Sequence, residues 1–191
     1  MKDYEFYKEK LKTILSEKRF IHSVNVSKAA EKLAVCYGVD VNRAKMAGLL
    51  HDVCKEMDEK TLTKLLSDAK PELFNAYKNF PFKLYHGPAA MFYLRKEFGI
   101  DDEEILSAVC FHTTGHENMT IMEEIVFVAD YVSEERPFDN LKELQVLALN
   151  NIDLVVLDKC RAAIQKCINS RITIHSYTVE TYNDMIERQG K

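Results

Sequence analysis

The chain has 191 residues, of which 47% are hydrophobic and 29% charged, with only 6 glycines and 4 prolines; this composition excludes disordered, collagen-like and low-complexity proteins. Its 26 basic and 30 acidic residues give a formal net charge of -4, which argues against broad binding to a nucleic-acid backbone. We therefore expect a single domain over residues 1–191.

Apolar residues recur at intervals of three and four with few glycine or proline breaks, a pattern that predicts an all-α protein. The first helix is predicted around Phe6–Leu15, and the second ends near Gly38, a typical left-handed cap. A third helix is predicted from about Val41 to Cys54. Its apolar run leads directly into His51 and Asp52.

The middle of the chain contains most of the prolines and glycines. A short helix over about Glu59–Asp68 precedes the segment Pro71–Tyr85, which we predict to be irregular or partly helical. Pro88 suits the first turn of the next helix, because its missing N–H would be unpaired there. That helix is expected to end at Phe98, before Gly99.

Two polar pairs match the capping box that begins a helix. They are Asp101 with Glu104, and Thr120 with Glu123. The helix after Thr120 is apolar on nearly every face, so we expect it to be buried all round. The remaining expectations are helices over 140–149 and 154–169, a β-branched segment over 171–178 and a final polar helix.

The cysteines and the hydropathy pattern predict the compartment. The five cysteines are odd in number, form no CxxC pair and lie in apolar helical segments, which favours small buried side chains in a reducing environment: Cys36, Cys54, Cys110, Cys160 and Cys167. The longest apolar run, Ala89–Leu94, is far shorter than the ~18 residues that cross a bilayer. We expect a cytoplasmic protein without membrane association.

Asp130 is out of place on the helix that is predicted to be buried. It follows five consecutive apolar residues, and an ionised carboxylate there is costly unless it is paired or binds a metal. The simpler alternatives are a salt bridge to Arg136 and a helix-capping role near the chain reversal at Pro137.

Histidines occur on or at the end of separate predicted helices: His22, His51, His86 and His112. If the bundle directs each one inward together with Asp52 and Asp130, four imidazoles and two carboxylates meet in its core. This donor set without thiolates is typical of Fe, Mn, Zn or Co rather than of a structural zinc site. Six ligands are too many for one closed site, so a dinuclear centre is predicted, of the kind that activates water against phosphate esters.

Five motifs occur in a characteristic order: RFIHS at 19–23, HDVCKE at 51–56, His86, HTTG at 112–115 and ADYVSEER at 129–136. This order resembles the HD-domain metal-dependent phosphohydrolase superfamily. The flanking residues resemble its YqeK-type branch, whose members cleave diadenosine tetraphosphate symmetrically into two ADP. The resemblance spans about residues 19–136 and implies an HD-domain helical bundle.

The resemblance also implies roles for individual residues. A first metal, which this family suggests is iron with Mn, Co or Zn as alternatives, would be held by His22, His51, Asp52 and Asp130. His86 and His112 would hold a second metal. The implied catalytic residues are Asp52, Lys55, His86 and His112. The same four residues are implied to bind substrate, together with Thr113, Asp130, Arg136, Ile172, Thr173, Ile174, His175, Ser176 and Tyr177.

The resulting hypothesis is a hydrolase in which a metal-bridging hydroxide attacks phosphorus and ADP leaves. The alternatives are an HD phosphohydrolase of an alarmone, a dNTP or a cyclic dinucleotide, and a non-catalytic helical regulator that senses a nucleotide. We expect a nucleotide as partner, no nucleic acid and no membrane, and leave a homodimer open. His116 is interpreted as a loop residue, and the pair Glu134–Glu135 as a solvated helix end.

Overall fold

Helices are the only regular structure in residues 3–190, the part of the chain that this computed structural model describes. The α-helices are α1 (Tyr4–Lys12), α2 (Glu17–Tyr37), α3 (Val41–Leu50), α4 (Glu59–Ala69), α5 (Pro71–Tyr77), α6 (His86–Tyr93), α7 (Glu103–Phe111), α8 (Ile121–Val132), α9 (Leu141–Asn150), α10 (Ile152–Ser170) and α11 (Ser176–Gln189). A 3-10 turn covers Phe82–Leu84, and a π turn, Leu94–Phe98, follows α6. The all-α prediction is confirmed.

Side-chain caps explain where several helices begin. The predicted capping box of α8 is confirmed, since Thr120 accepts from the backbone N–H of Glu123 while the Glu123 carboxylate accepts from the backbone N–H of Thr120. The box predicted at Asp101 is wrong by one residue. Asp102 is the cap of α7 and accepts from the N–H groups of Glu104 and Ile105. Two adjacent aspartates offer the same capping chemistry, so the local sequence does not distinguish them.

The predicted end of the third helix is also wrong. Helix α3 ends at Leu50, and residues 51–56 form turns rather than continuing to Cys54. Successive side chains of a straight helix point about 100° apart. Leaving the helix at His51 allows His51 and Asp52 to be buried at the same place.

Other boundaries agree with expectation. Helix α5 begins at Pro71, so the segment before Tyr85 is partly helical as predicted. Gly38 and Gly99 have positive φ angles of 69° and 64°, as left-handed caps require. One expectation about the cysteines is wrong, because Cys36 is exposed at the end of α2, where it donates to the carbonyl of Leu149.

Helix α8 forms the centre of the bundle. It contacts α2, α3, α7, α9 and α10, and its residues from Met122 to Ala129 are all buried. Glycines allow the neighbouring helices to approach closely. A Cβ on Gly48 of α3 would lie 3.0 Å from the Ser27 Cα of α2, and a Cβ on Gly87 of α6 would lie 2.6 Å from the Cys110 carbonyl of α7. These crossings bring the histidine-bearing helix ends together.

None of the helices in the described part of the chain combines the length and hydropathy that a membrane span requires.

Candidate metal centre

Each of the four predicted histidines uses its Nδ1 for a contact within the protein. His51, His86 and His112 direct Nδ1 to a carbonyl three residues earlier in the chain, at Gly48, Lys83 and Val109, over 2.8, 2.6 and 2.7 Å. His22 directs Nδ1 to the carboxylate of Glu135. When Nδ1 carries the donated proton, Nε2 of each neutral ring carries a lone pair.

The first donor group contains His22, His51 and Asp130. The Nε2 atoms of His22 and His51 are 3.2 Å apart, and Asp130 Oδ1 lies 3.2 Å from the former and 3.8 Å from the latter. Asp52 Oδ2 adds a fourth donor, 3.4 Å from His51 Nε2 and 3.7 Å from His22 Nε2.

The second donor group contains His86, His112 and the other oxygen of Asp52. The two Nε2 atoms are 3.0 Å apart, and Asp52 Oδ1 lies 3.1 Å from His86 and 3.5 Å from His112. The Thr113 hydroxyl oxygen lies 3.2 Å from His86 Nε2 and 3.0 Å from His112 Nε2. Asp52 therefore faces one donor group with each of its oxygens.

The donor atoms fit divalent metal ions in both spacing and chemistry. Nitrogen and oxygen ligands about 2.1 Å from an ion lie roughly 3.0–3.4 Å from one another in octahedral or tetrahedral arrangements. Neutral imidazole lone pairs repel when they face each other at such distances unless a proton or a cation lies between them. Asp52 Oδ1 is buried and has no hydrogen-bond partner within the described structure, and the nearest cation, Lys55 Nζ, lies 3.6 Å away. A buried carboxylate oxygen without a hydrogen bond is costly.

The local electrostatics keep the carboxylates ionised. Burial alone would raise the pKa of Asp52, but the surrounding histidines hold it well below the usual range. Burial also opposes ionisation of Asp130, but Lys159, followed by His22, keeps its pKa well below the usual range. Both acids are therefore in the form that binds metal.

The histidines differ in their affinity for protons. Burial lowers the pKa of His112 to about 3 and also lowers that of His86, so these rings stay neutral and can act as ligands. Burial opposes protonation of His22, but its hydrogen bonds to Asp130 and Glu135 raise the pKa above the ordinary value. A metal that binds His22 therefore displaces a proton.

Three partly exposed basic side chains lie around the donor groups. Lys55 Nζ lies 3.1 Å from His86 Nε2 and is 32% exposed. Arg136 is 33% exposed and pairs with Asp130, the ion pair that the sequence offered as an alternative to metal binding. Arg19 donates to Asp52 Oδ2 at 2.6 Å.

Sequence reasoning gave no role to three residues beside the donor groups, Arg19, Glu135 and Lys159. Glu135 was interpreted as part of a solvated helix end, but it contacts His22 and Ser133. Lys159 received no role, although its ammonium donates to Asp130 Oδ2 at 3.0 Å. The sequence gives only a weak signal for Lys159, a lysine on an amphipathic helix and distant in sequence from every motif.

The C-terminal residues of the predicted substrate site are not equivalent. His175 is 2% exposed, and its ring centroid lies 4.4 Å from that of Tyr77 and 4.3 Å from that of Phe80. Burial lowers the pKa of His175 to about 4. Tyr177 is partly buried against Phe111. The others lie on the connecting loop or the first residue of α11, where Ile174 is partly buried and three are exposed: Ile172, Thr173 and Ser176.

His116 lies outside any helix, as predicted. Its Nε2 is 3.0 Å from Glu123 Oε1. Burial opposes ionisation of Glu123, but this contact and the Ser107 hydroxyl lower its pKa to about 2.

A comparison with protein families matches residues 19–135 to the HD domain. That segment includes the residues of both donor groups, and the chain belongs to the HD domain family. The resemblance noted from the five motifs is confirmed.

Within that family, its relatives include symmetrical bis(5'-nucleosyl)-tetraphosphatases. The chain is 30% identical to the one from Halalkalibacterium halodurans, over 94% of this chain and 95% of the relative. It is 32% identical to the one from Staphylococcus aureus, over 88% and 87%. A crystal structure described as a predicted HD superfamily hydrolase involved in NAD metabolism, from Clostridium acetobutylicum, has a TM-score of 0.89 and 32% identity, covering 98% of this chain and 99% of the other.

Proposed function

We propose that the protein is a metal-dependent hydrolase that cleaves diadenosine tetraphosphate symmetrically into two ADP. The observation that carries this proposal is the pair of donor groups that share Asp52, in a chain whose relatives over most of its length are named symmetrical tetraphosphatases. Paired metal sites of this kind serve in many phosphohydrolases.

His22, His51, Asp52 and Asp130 would hold one ion, and His86, His112 and Asp52 the other. Two such ions, when bound, lower the pKa of water and neutralise phosphate charge. The absence of cysteine from the described donor groups favours iron, manganese, cobalt or zinc in a catalytic role, and we propose iron.

Lys55 and Arg136 would bind the tetraphosphate. Each side chain is about one-third exposed. Lys55 can therefore release His86, and Arg136 can release Asp130, while the charged group stays in contact with water. Fixed positive charge beside the scissile phosphate stabilises the negative charge that develops in the transition state. The Thr113 hydroxyl, in contact with His86 and His112, would donate to a phosphate oxygen.

The residues before α11 would contact ribose and base. Helix α11 packs on the HTTG segment, where Thr181 Oγ1 lies 3.4 Å from the Thr114 carbonyl, so the exposed loop residues Ile172 and Thr173 extend from a helix anchored beside His112. Buried His175 would orient this loop rather than touch substrate. We propose that residues 1–191 act as one functional unit in the cytoplasm, with a free nucleotide as substrate.

Product analysis tests this function. Metal-loaded protein incubated with diadenosine tetraphosphate should yield ADP as sole product, and Asp52→Asn should lower kcat/KM at least about 100-fold because both donor groups lose a charged ligand. Asp68→Asn, an exposed change on α4, is the matched control. Formation of AMP and ATP would contradict the symmetric mode. Cleavage of an alarmone, a dNTP or a cyclic dinucleotide alone would overturn the substrate assignment.

A further inference from the structure

The ammonium group of Lys159 is held in place by three hydrogen bonds within the protein. The residue lies on α10, beyond the segment that matches the HD domain, and its side chain is 12% exposed. Nζ donates to the Phe127 carbonyl at 2.7 Å, the His112 carbonyl at 3.0 Å and Asp130 Oδ2 at 3.0 Å. An ammonium has three N–H donors, so all of them are used. Nζ also lies 4.0 Å from the centre of the Phe127 ring.

These contacts distinguish the two oxygens of Asp130. Oδ2 accepts from Lys159, whereas Oδ1 accepts from the partly exposed Arg136 and also faces His22 Nε2 at 3.2 Å. Phe127 lies three residues before Asp130 on α8, so its carbonyl fixes the ammonium relative to the same helix. With Oδ2 engaged, rotation of the carboxylate is restricted and Oδ1 remains directed at the first donor group.

The contact with the His112 carbonyl anchors Lys159 to the end of α7 without orienting the His112 ring, whose Nδ1 is held by the Val109 carbonyl. His112 follows the last residue of α7, and a carbonyl at that position has no partner within the helix. Lys159 supplies the donor from α10. One side chain therefore connects the backbone of a ligand in one donor group to the carboxylate of a ligand in the other.

Lys159 differs from Arg136, the other cation bound to Asp130. Arg136 is 33% exposed, whereas Lys159 has little exposed surface and no unused donor. Arg136 can reach a phosphate, and Lys159 cannot do so without breaking three hydrogen bonds.

We infer that Lys159 is a positioning residue that orients Asp130 so that Oδ1 is presented to the metal at His22 and His51. The inference rests on the metal sites of the proposed function. Loss of a group that orients a ligand in this way typically weakens metal binding 10- to 100-fold.

Co²⁺ binding to the metal-free protein provides the test, with the d–d absorption spectrum as readout. Two backgrounds distinguish the donor groups, because His86→Ala removes a donor from the second group and keeps the first complete, whereas His22→Ala removes a donor from the first group and keeps the second complete. Lys159→Met should weaken Co²⁺ binding about 10- to 100-fold in the His86→Ala background, change its spectrum, and alter binding less than about 3-fold in the His22→Ala background. Lys166→Met, an exposed change on the same helix, is the control.

Two results would overturn the inference. One is equal weakening in both backgrounds, which a general loosening of the fold would produce. The other is unchanged binding in the His86→Ala background. Lys159→Gln, which keeps two donors, is the second variant and should show the same preference. If circular dichroism shows that neither variant folds without metal, Lys159 is a stability residue and the inference fails.

The Co²⁺ binding test of Lys159 can fail or succeed independently of the product analysis that tests the proposed function. If the unsubstituted protein binds two Co²⁺ and Lys159→Met weakens the first group, but no ADP forms from diadenosine tetraphosphate with any metal, the function is wrong and the inference stands. If ADP forms and Lys159→Met binds Co²⁺ normally, only the inference is wrong.

Discussion

The partner of each Nδ1 atom decides what each histidine can do. Three of the histidines donate to a carbonyl of their own segment, so the local backbone sets the tautomer. His22 depends on Glu135, which lies 113 residues further along the chain. A carboxylate that accepts from Nδ1–H makes the imidazole a better ligand at Nε2.

Replacing Glu135 by Gln should weaken metal binding at His22. An uncharged amide is a poorer acceptor for the Nδ1 proton, and such changes cost roughly 10- to 100-fold in metal affinity. Co²⁺ titration of the His86→Ala protein with and without Glu135→Gln measures the change. The neighbouring Glu134→Gln removes the same charge at an exposed position and should have little effect.

Glu135→Gln should also change the pKa of His22 in the metal-free protein. Glu135 is one of the groups that raise the pKa of His22, so Glu135→Gln should move that pKa downward. NMR titration of the histidine ring protons measures the shift. An unchanged pKa together with unchanged Co²⁺ affinity would mean that Glu135 does not act on His22.

At the level of elements, close helix crossings set the spacing of the ligands. Helices α6 and α7 approach at Gly87, next to His86, and the crossing brings His86 Nε2 to 3.0 Å from His112 Nε2. Helices α2 and α3 approach in the same way at Gly48, whose carbonyl also orients His51. Packed backbones do not yield to an added methyl group without local shifts.

Gly87→Ala should therefore separate α6 from α7. The added Cβ would lie 2.6 Å from the Cys110 carbonyl, and we expect a loss of about 1–3 kcal/mol in the free energy of unfolding, measured with urea. Co²⁺ binding by the second donor group should weaken as well. Gly190→Ala, where the nearest atoms lie 3.8 Å away, should preserve both properties. Unchanged stability in Gly87→Ala would show that the crossing can relax at little cost.

At the level of the whole molecule, helices beyond the HD-domain match stabilise the site. Helix α10 supplies Lys159, and α11 is joined to α8 by the ion pair between Arg188 and Glu124. The donor residues lie between positions 22 and 130, and α10 adds Lys159 from beyond them. Metal binding should therefore stabilise the folded protein as a whole, because the unfolded chain cannot bring these ligands together.

Removing metal should lower the Tm. A ligand at 100 times its Kd adds about 2.7 kcal/mol to the free energy of unfolding, which corresponds to a Tm difference of roughly 5–10 °C for a chain of this size. Scanning calorimetry of chelator-treated and metal-loaded protein measures it. Asp52→Asn should show a smaller difference. Equal Tm values for both forms of the unsubstituted protein would contradict metal binding at the donor groups.

The sequence alone determined the helical class, the burial of α8 and its capping box, because apolar period and cap chemistry act over a few residues. It also predicted the types of the candidate ligands, since four histidines and two aspartates at helix positions already favour a metal site. The end of α3 and the cap of α7 depended on tertiary structure, because the local chemistry allowed more than one position.

Only the tertiary structure decided how those ligands are oriented. Glu135 was indistinguishable from a solvated acid, and Lys159 from an ordinary helix lysine, until folding placed them beside His22 and Asp130. The two-sided position of Asp52 likewise follows from helix crossings between residues far apart in the chain. Short-range preferences predict which groups are present, whereas packing over long sequence distances decides which atoms face each other.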